Sequence, residues 1–148
     1  VYKRQVYSMT WKVEIYSELP DEAKAIRQAV FVEEQGFQEE FDELDNTEAA
    51  HLVGFVEGEP VCTCRFFRAK DEASTFIIGR VAVMKDRRGQ QLGAKILLAA
   101  EDFIRVMGGV KTKLAAQVQA KGFYENLGYT AEGKVFDEEG CPHVWMSK

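Results

Sequence analysis

The chain has 148 residues, of which 46% are hydrophobic and 29% are charged, enough to form the core of one domain of ordinary size. Its formal net charge of −5 excludes a broad basic surface for nucleic acid. No apolar run reaches the roughly 18 residues that a membrane span needs, and no secretory signal pattern is visible. We expect a single domain over residues 9–148, preceded by an N-terminal extension or cloning remnant over residues 1–8.

The cysteines indicate a reducing compartment. There are three of them, an odd number, and Cys62 and Cys64 lie two residues apart in one strand-like segment. On a strand their side chains face the same side and are poorly placed to bridge. We therefore expect a cytoplasmic protein, and we expect no metal centre.

The first half of the chain alternates strand and helix patterns. Residues 12–17 alternate apolar and polar side chains, which predicts a strand, and residues 21–34 place apolar side chains near one face of a helix. Residues 50–57 and 60–69 predict a hairpin, because a glycine-containing turn separates two strand-like runs. Residues 75–84 predict a long strand.

The second half continues this alternation. Residues 90–107 have the apolar spacing of a helix, which a pair of glycines ends. Residues 112–117 predict a strand and residues 120–126 a short helix. Residues 129–134 and 143–147 predict a closing antiparallel pair. This order of elements predicts an α/β fold around a mixed sheet.

Residues 78–94 are the most informative segment, because a β-branched strand runs into a basic, glycine-containing turn and then directly into a helix. A helix N-terminus presents free N–H groups and the positive end of its dipole, and nearby glycines let an anion approach the main chain. Arg87 and Arg88 add positive charge. The segment predicts a phosphate cradle, although the spacing of Gly89 and Gly93 matches neither a Walker loop nor a dinucleotide fingerprint.

The turn resembles the acyl-CoA motif R/Q-x-x-G-x-G/A of the GNAT superfamily of N-acetyltransferases, with Arg88 first and Gly93 last. Gln91 stands where that pattern has a glycine. A side chain at this position would crowd the pyrophosphate or tilt the turn.

The resemblance extends to both sides of the turn. Residues 114–117 resemble the family's next strand, and residues 120–129 resemble its A-x-x-F-Y-x-x-L-G-F/Y helix. Residues 30–35 and 138–146 resemble the first helix and the closing hairpin of an ElaA-like bacterial branch. The likeness covers about residues 11–148.

The resemblance implies a GNAT-type fold: a mixed, mostly antiparallel central sheet flanked by about four helices. It also implies an acetyl-CoA-dependent N-acetyltransferase, in which the primary amine of a small molecule attacks the thioester directly in a ternary complex. The cysteines lack a histidine-paired signature of a covalent route. Many family members form dimers, so a homodimer is a further expectation. The alternative from another class is a non-catalytic CoA-binding sensor or regulatory module.

The resemblance assigns the cofactor site as well. Val81 and Val83 are expected to present backbone groups to the pantetheine arm. Tyr124 is expected to protonate the leaving thiolate, since a phenol with a reference pKa of about 10 is protonated at neutral pH. Gln117 stands where the family often has an asparagine that binds the CoA arm. The expected cofactor contacts are Val81, Ala82, Val83, Arg88, Gly89, Gln90, Gln91, Leu92, Gly93, Ala94, Gln117, Phe123 and Tyr124.

The general base has no decisive motif. We predict Glu34 first, from its place at the end of the first helix, with a solvated carboxylate and a water chain to bulk solvent as open alternatives. His143 is expected either to line the acceptor pocket or to be a surface or core histidine. The remaining candidates are Glu33, Asp42, Glu43, Asp45 and His51.

An acidic stretch bears on the acceptor. No lysine or arginine occurs from Gln28 to Cys64, while eight carboxylates crowd half of that segment: Glu33, Glu34, Glu39, Glu40, Asp42, Glu43, Asp45 and Glu48. Such a field would attract a cationic acceptor, such as a polyamine, an aminoglycoside or a lysine-like amine, unless the segment is simply a solvated loop. If Arg65 or Arg68 on the next strand points into the pocket, a carboxylate-bearing amine becomes the alternative acceptor.

Overall fold

The structure is a computed structural model that describes residues 10–148, so the expected extension over residues 1–8 lies outside the described residues. The strands are β1 (Trp11–Tyr16), β2 (Ala50–Val56), β3 (Glu59–Arg68), β4 (Thr75–Val83), β5 (Lys111–Gln117), β6 (Thr130–Glu138) and β7 (Cys141–Ser147). The α-helices are α1 (Asp21–Arg27), α2 (Leu92–Val106) and α3 (Lys121–Asn126).

Within the described residues the strands form one sheet in the order β1-β2-β3-β4-β5-β7-β6. Every neighbouring pair is antiparallel except β4 and β5, which are parallel. The predicted α/β class with a mixed, mostly antiparallel sheet is therefore confirmed. None of the helices in residues 10–148 is long and apolar enough to cross a membrane.

The helices differ from the prediction in number and in their ends. The predicted helix over residues 21–34 is α-helical only as far as Arg27 and continues as a π-helix over Gln28–Glu34. Counted strictly, residues 10–148 hold three α-helices rather than about four. The helix predicted from residue 90 begins at Leu92, because Gln91 has a left-handed backbone with φ of 61° and cannot continue the helix. π-helical turns are rare and frequently occur at functional sites.

Two apolar layers cover the two faces of the sheet. Helix α2 packs on one face through a buried stripe that includes Ile96, Leu97 and Ile104, as its sequence spacing predicts. Helix α1 and the π-helix pack on the other face around Ile26 and Val30. Cys62 and Cys64 are free and belong to the α2 layer, which agrees with the prediction that they share one face of a strand.

Strand β4 contains a bulge in its pairing with β3, and on its other edge it diverges from β5. Thr63 pairs with Ala82 while Arg65 pairs with Gly79, so β4 has one residue more than β3 between the two pairs, and Arg80 takes a left-handed φ of 54°. Strands β4 and β5 pair only at residues 75–77 and 111–113. Beyond those residues the two strands diverge, and the β4 backbone that faces β5 has no strand partner.

Candidate functional site

A cleft of about 970 Å³ occupies the gap between the diverging strands. The second half of β4, the turn after it and the start of α2 form one wall, and β5, α3 and the β6–β7 hairpin form the other. A volume of this size suits a small ligand or a cofactor. An extended ligand arm can pair with the open backbone edge of β4 as an added strand does.

The turn before α2 presents free main-chain amides to this cleft. Gly89 and Gln91 both have left-handed backbones, with φ of 82° and 61°. Among residues 10–148, the amides of residues 89–94 find no backbone acceptor. Consecutive free amides at the N-terminus of a helix of 15 residues form a site that can bind a diphosphate.

Gln91 does not disrupt the turn as the sequence suggested. Its backbone takes the left-handed conformation that a glycine would take, and its side chain is exposed at the cleft. The replacement of glycine therefore costs conformational energy without closing the cradle. Gly93 lies close to the opposite wall, since a Cβ atom there would be 3.4 Å from the Phe123 ring and 3.6 Å from the Val83 side chain.

The two arginines of the turn, which were predicted to add positive charge, are each paired with a carboxylate. Arg87 pairs with Glu59 at 2.6 Å, and Arg88 binds both carboxylate oxygens of Glu34 at 2.6 and 2.8 Å. Both carboxylates come from distant parts of the chain, which sequence spacing could not show. The pairing with Arg88 lowers the pKa of Glu34.

Glu34 is poorly placed to be the base. It does not line the cleft described above, and its carboxylate is held by Arg88. A lowered pKa also makes a carboxylate a weaker proton acceptor. The assignment of Glu34 as the general base remains a prediction that this geometry does not favour.

Tyr124 lies on the wall opposite the cradle. Its ring packs edge-on against Phe123 and Tyr129, with centroid distances of 5.0 and 6.0 Å. Burial raises the pKa of Tyr124 to about 12. Among residues 10–148 no side chain or carbonyl is hydrogen-bonded to its hydroxyl, so this donor is available to a ligand in the cleft.

Most of the expected cofactor residues meet at the cleft, whereas Gln90 and Ala94 do not line it. Gln117 does, and its amide donates to the Gln35 side chain at 2.9 Å. The expected residues that line the cleft are Val81, Ala82, Val83, Arg88, Gly89, Gln91, Leu92, Gly93, Gln117, Phe123 and Tyr124.

Four of the eight carboxylates of the acidic stretch are paired with arginines from outside it, which reduces the predicted field. Arg27 on α1 binds Glu40 and Asp45 at 2.8 and 2.7 Å, and both are nearly fully buried. The other pairs of this network are Arg65 with Asp42 and Asp45, and Arg80 with Glu40 and Asp42. Three carboxylates thus face three guanidinium groups, and Glu34 is bound by Arg88.

The two arginines that were considered as binding groups for a carboxylate of the acceptor already contact other residues of the protein. Arg65 lines the cleft, but its Nη1 donates to Asp42 and Asp45 and its Nη2 donates to Asp42. Arg68 does not line the cleft and lies 4.7 Å from the Phe76 ring centroid.

None of the predicted candidates for the base lines the cleft, whereas His143, which was predicted only as a possible residue of the acceptor pocket, does. His51 is buried and donates from Nε2 to the Asp45 carbonyl at 2.7 Å, and burial lowers its pKa. Glu33 and Glu43 are exposed away from the cleft. Sequence reasoning listed His143 but could not rank it.

Some lining residues escaped sequence reasoning. Arg80 was missed, although the isolated Gly79 before it inside a strand pattern is a signal of a bulge. Phe67 and Trp145 line the acceptor half of the cleft. Trp145 and His143 alternate along β7 with the buried Val144 and Met146, so the period of two could have placed them together on the open face.

The comparisons agree with this geometry. Residues 16–148 match the family described as an acetyltransferase (GNAT) domain. The chain belongs to the GNAT acetyltransferase family. It is similar to YyaT of Bacillus subtilis, with 38% identity over 131 residues that cover 86% of each protein.

Solved structures give the same result. The crystal structure of Escherichia coli ElaA matches with a TM-score of 0.81 and 27% identity, over 95% of this chain and 99% of ElaA, so the chain lies in the ElaA-like branch. An aminoglycoside 6'-N-acetyltransferase complexed with coenzyme A shares the fold, with a TM-score of 0.74 and 16% identity over 93% of this chain and 96% of that one. As a GNAT protein the chain is an acyl-CoA-dependent N-acetyltransferase.

Proposed function

We propose that this GNAT enzyme transfers the acetyl group of acetyl-CoA to the primary amine of a small molecule, by direct attack in a ternary complex. One observation carries the proposal: the cleft has free amides at one end, an open β4 edge along its length and the Tyr124 hydroxyl on the facing wall. Acetyl transfer needs a held thioester, a polarised carbonyl and a proton for the leaving thiolate.

The free amides of the turn before α2 support the proposed mode of CoA binding. The diphosphate would bind the amides of residues 89–94, and the pantetheine arm would run along β4 as an added strand. A free N–H of β4 near the bulge would then stabilise the thioester oxygen as negative charge develops on it. Arg88 would move from Glu34 toward the diphosphate, because a phosphate carries more charge than one carboxylate.

The pKa of Tyr124 supports its role as the proton donor to the leaving thiolate. Because its pKa is raised to about 12, the phenol stays protonated through the whole physiological range and can donate a proton to the departing sulfur. Cys64 is not a nucleophile in this scheme, since it is buried and burial raises the pKa of its thiol far above neutrality. Direct attack by the amine therefore needs no acyl-enzyme.

The acceptor half has an aromatic and acidic lining. Phe67 and Trp145 line it, and Glu39, Glu138 and Glu139 supply carboxylates that form no ion pair with a lysine or arginine of residues 10–148. Rings and carboxylates together favour an amine that carries a positive charge. This supports a cationic acceptor, through Glu39 of the acidic stretch together with Glu138 and Glu139, which lie outside that stretch.

Amine-dependent release of free thiol tests the proposal. The protein is incubated with acetyl-CoA and a panel of primary amines, thiol release is followed, and acetylated products are identified by mass spectrometry. We expect turnover with at least one amine and none without amine. Thermal stabilisation by CoA together with no acetylated amine across the panel would contradict the proposal and favour the CoA-binding sensor.

A further inference from the structure

The imidazole of His143 is a largely buried proton acceptor of the acceptor half. The side chain is 5% exposed, lines the cleft and stacks on Phe136 with a centroid distance of 5.9 Å. It lies on β7 directly opposite Gln117, the last residue of β5. A group held by stacking and by a strand at the cleft wall has little freedom to turn away from a ligand.

The hydrogen bond of the ring fixes its tautomer. Nδ1 lies 2.7 Å from the carbonyl oxygen of Cys141. A carbonyl oxygen only accepts, so Nδ1 carries the hydrogen and Nε2 of the neutral ring carries a lone pair. This is the tautomer that a proton-accepting imidazole needs.

A carboxylate lies near Nε2 on the solvent side, beyond direct hydrogen-bond distance. Oε2 of Glu138 on β6 is 3.6 Å from Nε2, and the Glu138 side chain is 58% exposed. The other charged groups on the walls of this half are Glu39, Glu40, Glu139, Arg65 and Arg80. Arg80 is paired with Glu40 and Asp42. Glu40 and Arg65 are bound within the buried network, and Glu139 accepts a hydrogen bond from the Glu39 amide at 3.2 Å.

We infer that His143 is the general base of the transfer reaction and that Glu138 carries the proton on to solvent. The inference rests on the proposed function. The ammonium of the acceptor loses one proton to Nε2, and its nitrogen then bonds to the thioester carbon. Collapse of the tetrahedral intermediate breaks the C–S bond, and sulfur takes the hydroxyl proton of Tyr124. The second proton leaves the nitrogen, and solvent returns a proton to the phenolate, so one proton is released overall.

The test compares two acceptors of similar size. One is an alkylamine that is charged at pH 7, and the other is a fluorinated alkylamine that is neutral there and needs no base. His143→Asn keeps a donor toward the Cys141 carbonyl but cannot take up a proton. We expect it to lower kcat/KM for the charged amine by about 100-fold or more and to change that for the neutral amine little.

The pH profile provides a second readout. For the charged amine, wild-type kcat/KM should fall on the acid side within the range where imidazoles titrate, about pH 5 to 8, and His143→Asn should remove that fall. Glu138→Gln should lower the rate less than His143→Asn. Asp137→Asn, on the neighbouring residue that does not line the cleft, is the matched control.

Equal losses for both amines, or an unchanged profile in a folded variant that binds CoA, would overturn the role of His143 and leave the proposed function intact. If His143→Asn does not fold, the same comparison is made with His143→Gln and with the wild-type profiles of the two amines. An acid-side fall that is identical for the charged and the neutral amine would then overturn the inference. Absence of wild-type turnover with every amine would overturn the proposed function as well.

Discussion

Arg88 bridges the turn before α2 to Glu34 at the end of the π-helix, with both of its terminal nitrogens on the carboxylate and one of them also on the Val83 carbonyl at 3.0 Å. The pair is solvent-exposed, with side chains that are 41% and 31% exposed. An exposed pair contributes at most about 1 kcal/mol. It is therefore weak enough for a diphosphate to displace.

Glu34→Gln should strengthen CoA binding. The substitution frees Arg88 for the diphosphate, and because the pair is exposed and weak the gain in affinity should be a few-fold at most. Isothermal titration with CoA measures the change, and Glu33→Gln on the exposed neighbour is the control. A fall in kcat of about 100-fold in Glu34→Gln would instead identify Glu34 as the base.

Tyr124→Phe should lower kcat by about 100-fold or more, because the leaving thiolate loses its proton donor. CoA affinity should change little, since the ring and its contacts with Phe123 and Tyr129 remain. The wild-type enzyme should show no basic limb from this residue below about pH 11, because burial raises the pKa of Tyr124 to about 12. Stopped-time thiol assays from pH 6 to about pH 11 measure both effects. Full activity of the Phe variant would remove Tyr124 from the mechanism.

Asp45→Asn should destabilise the fold by about 3 to 5 kcal/mol, because it leaves Arg27 and Arg65 without their shared buried carboxylate. Burial alone raises the pKa of Asp45, but hydrogen bonds from Arg27, the Asp42 amide and Arg65 outweigh it and lower the pKa to about 2. The folded-state pKa is below the unfolded one, so this stabilisation is present above about pH 4 and is lost as pH falls through about 2.

Urea unfolding at pH 7 and at about pH 3 checks this prediction. The wild type should lose more stability on acidification than Asp45→Asn does. Asp45 lies in a short 3₁₀-helix, Glu43–Asn46. Glu43→Gln, on the exposed side of that helix, should leave unfolding at pH 7 unchanged. An Asp45→Asn variant as stable as the wild type at pH 7 would mean that the network does not support the fold.

Gln91→Gly should stabilise the protein by about 1 kcal/mol, since a left-handed backbone costs an L-residue about 1 to 2 kcal/mol and costs glycine almost nothing. Gln90→Gly is the matched control and should destabilise, because Gln90 is not among the residues with positive φ. Thermal unfolding of the two variants provides the comparison. If Gln91→Gly destabilises the protein as Gln90→Gly does, the turn is not strained at residue 91.

The sequence predicted those features that depend on local pattern. Periodicity placed the strands and the buried stripe of α2, and the motif around Arg88 and Gly93 placed the cradle. It could not predict the partners of Arg88 or the network that joins Arg27 to Asp45, because these contacts link residues 18 to 54 positions apart. Gly79 inside the strand pattern was a signal of the bulge that the prediction did not use, whereas the contacts of Arg80 with Glu40 and Asp42 link residues 38 to 40 positions apart.

The part of the cleft wall that β7 forms was also only partly predictable from the sequence. The alternation of His143 and Trp145 with Val144 and Met146 was readable from the sequence, but that face is open only because α1 and α2 cover other strands of the sheet. The packing of the helices therefore decides which side chains line the cleft.

A crystal structure with bound acetyl-CoA tests the central claim most directly. The account predicts diphosphate oxygens about 2.7 to 3.2 Å from amides of residues 89–94, the pantetheine arm paired with β4, and the thioester sulfur within hydrogen-bond reach of the Tyr124 hydroxyl. A diphosphate bound away from that turn, or a sulfur out of reach of Tyr124, would contradict it.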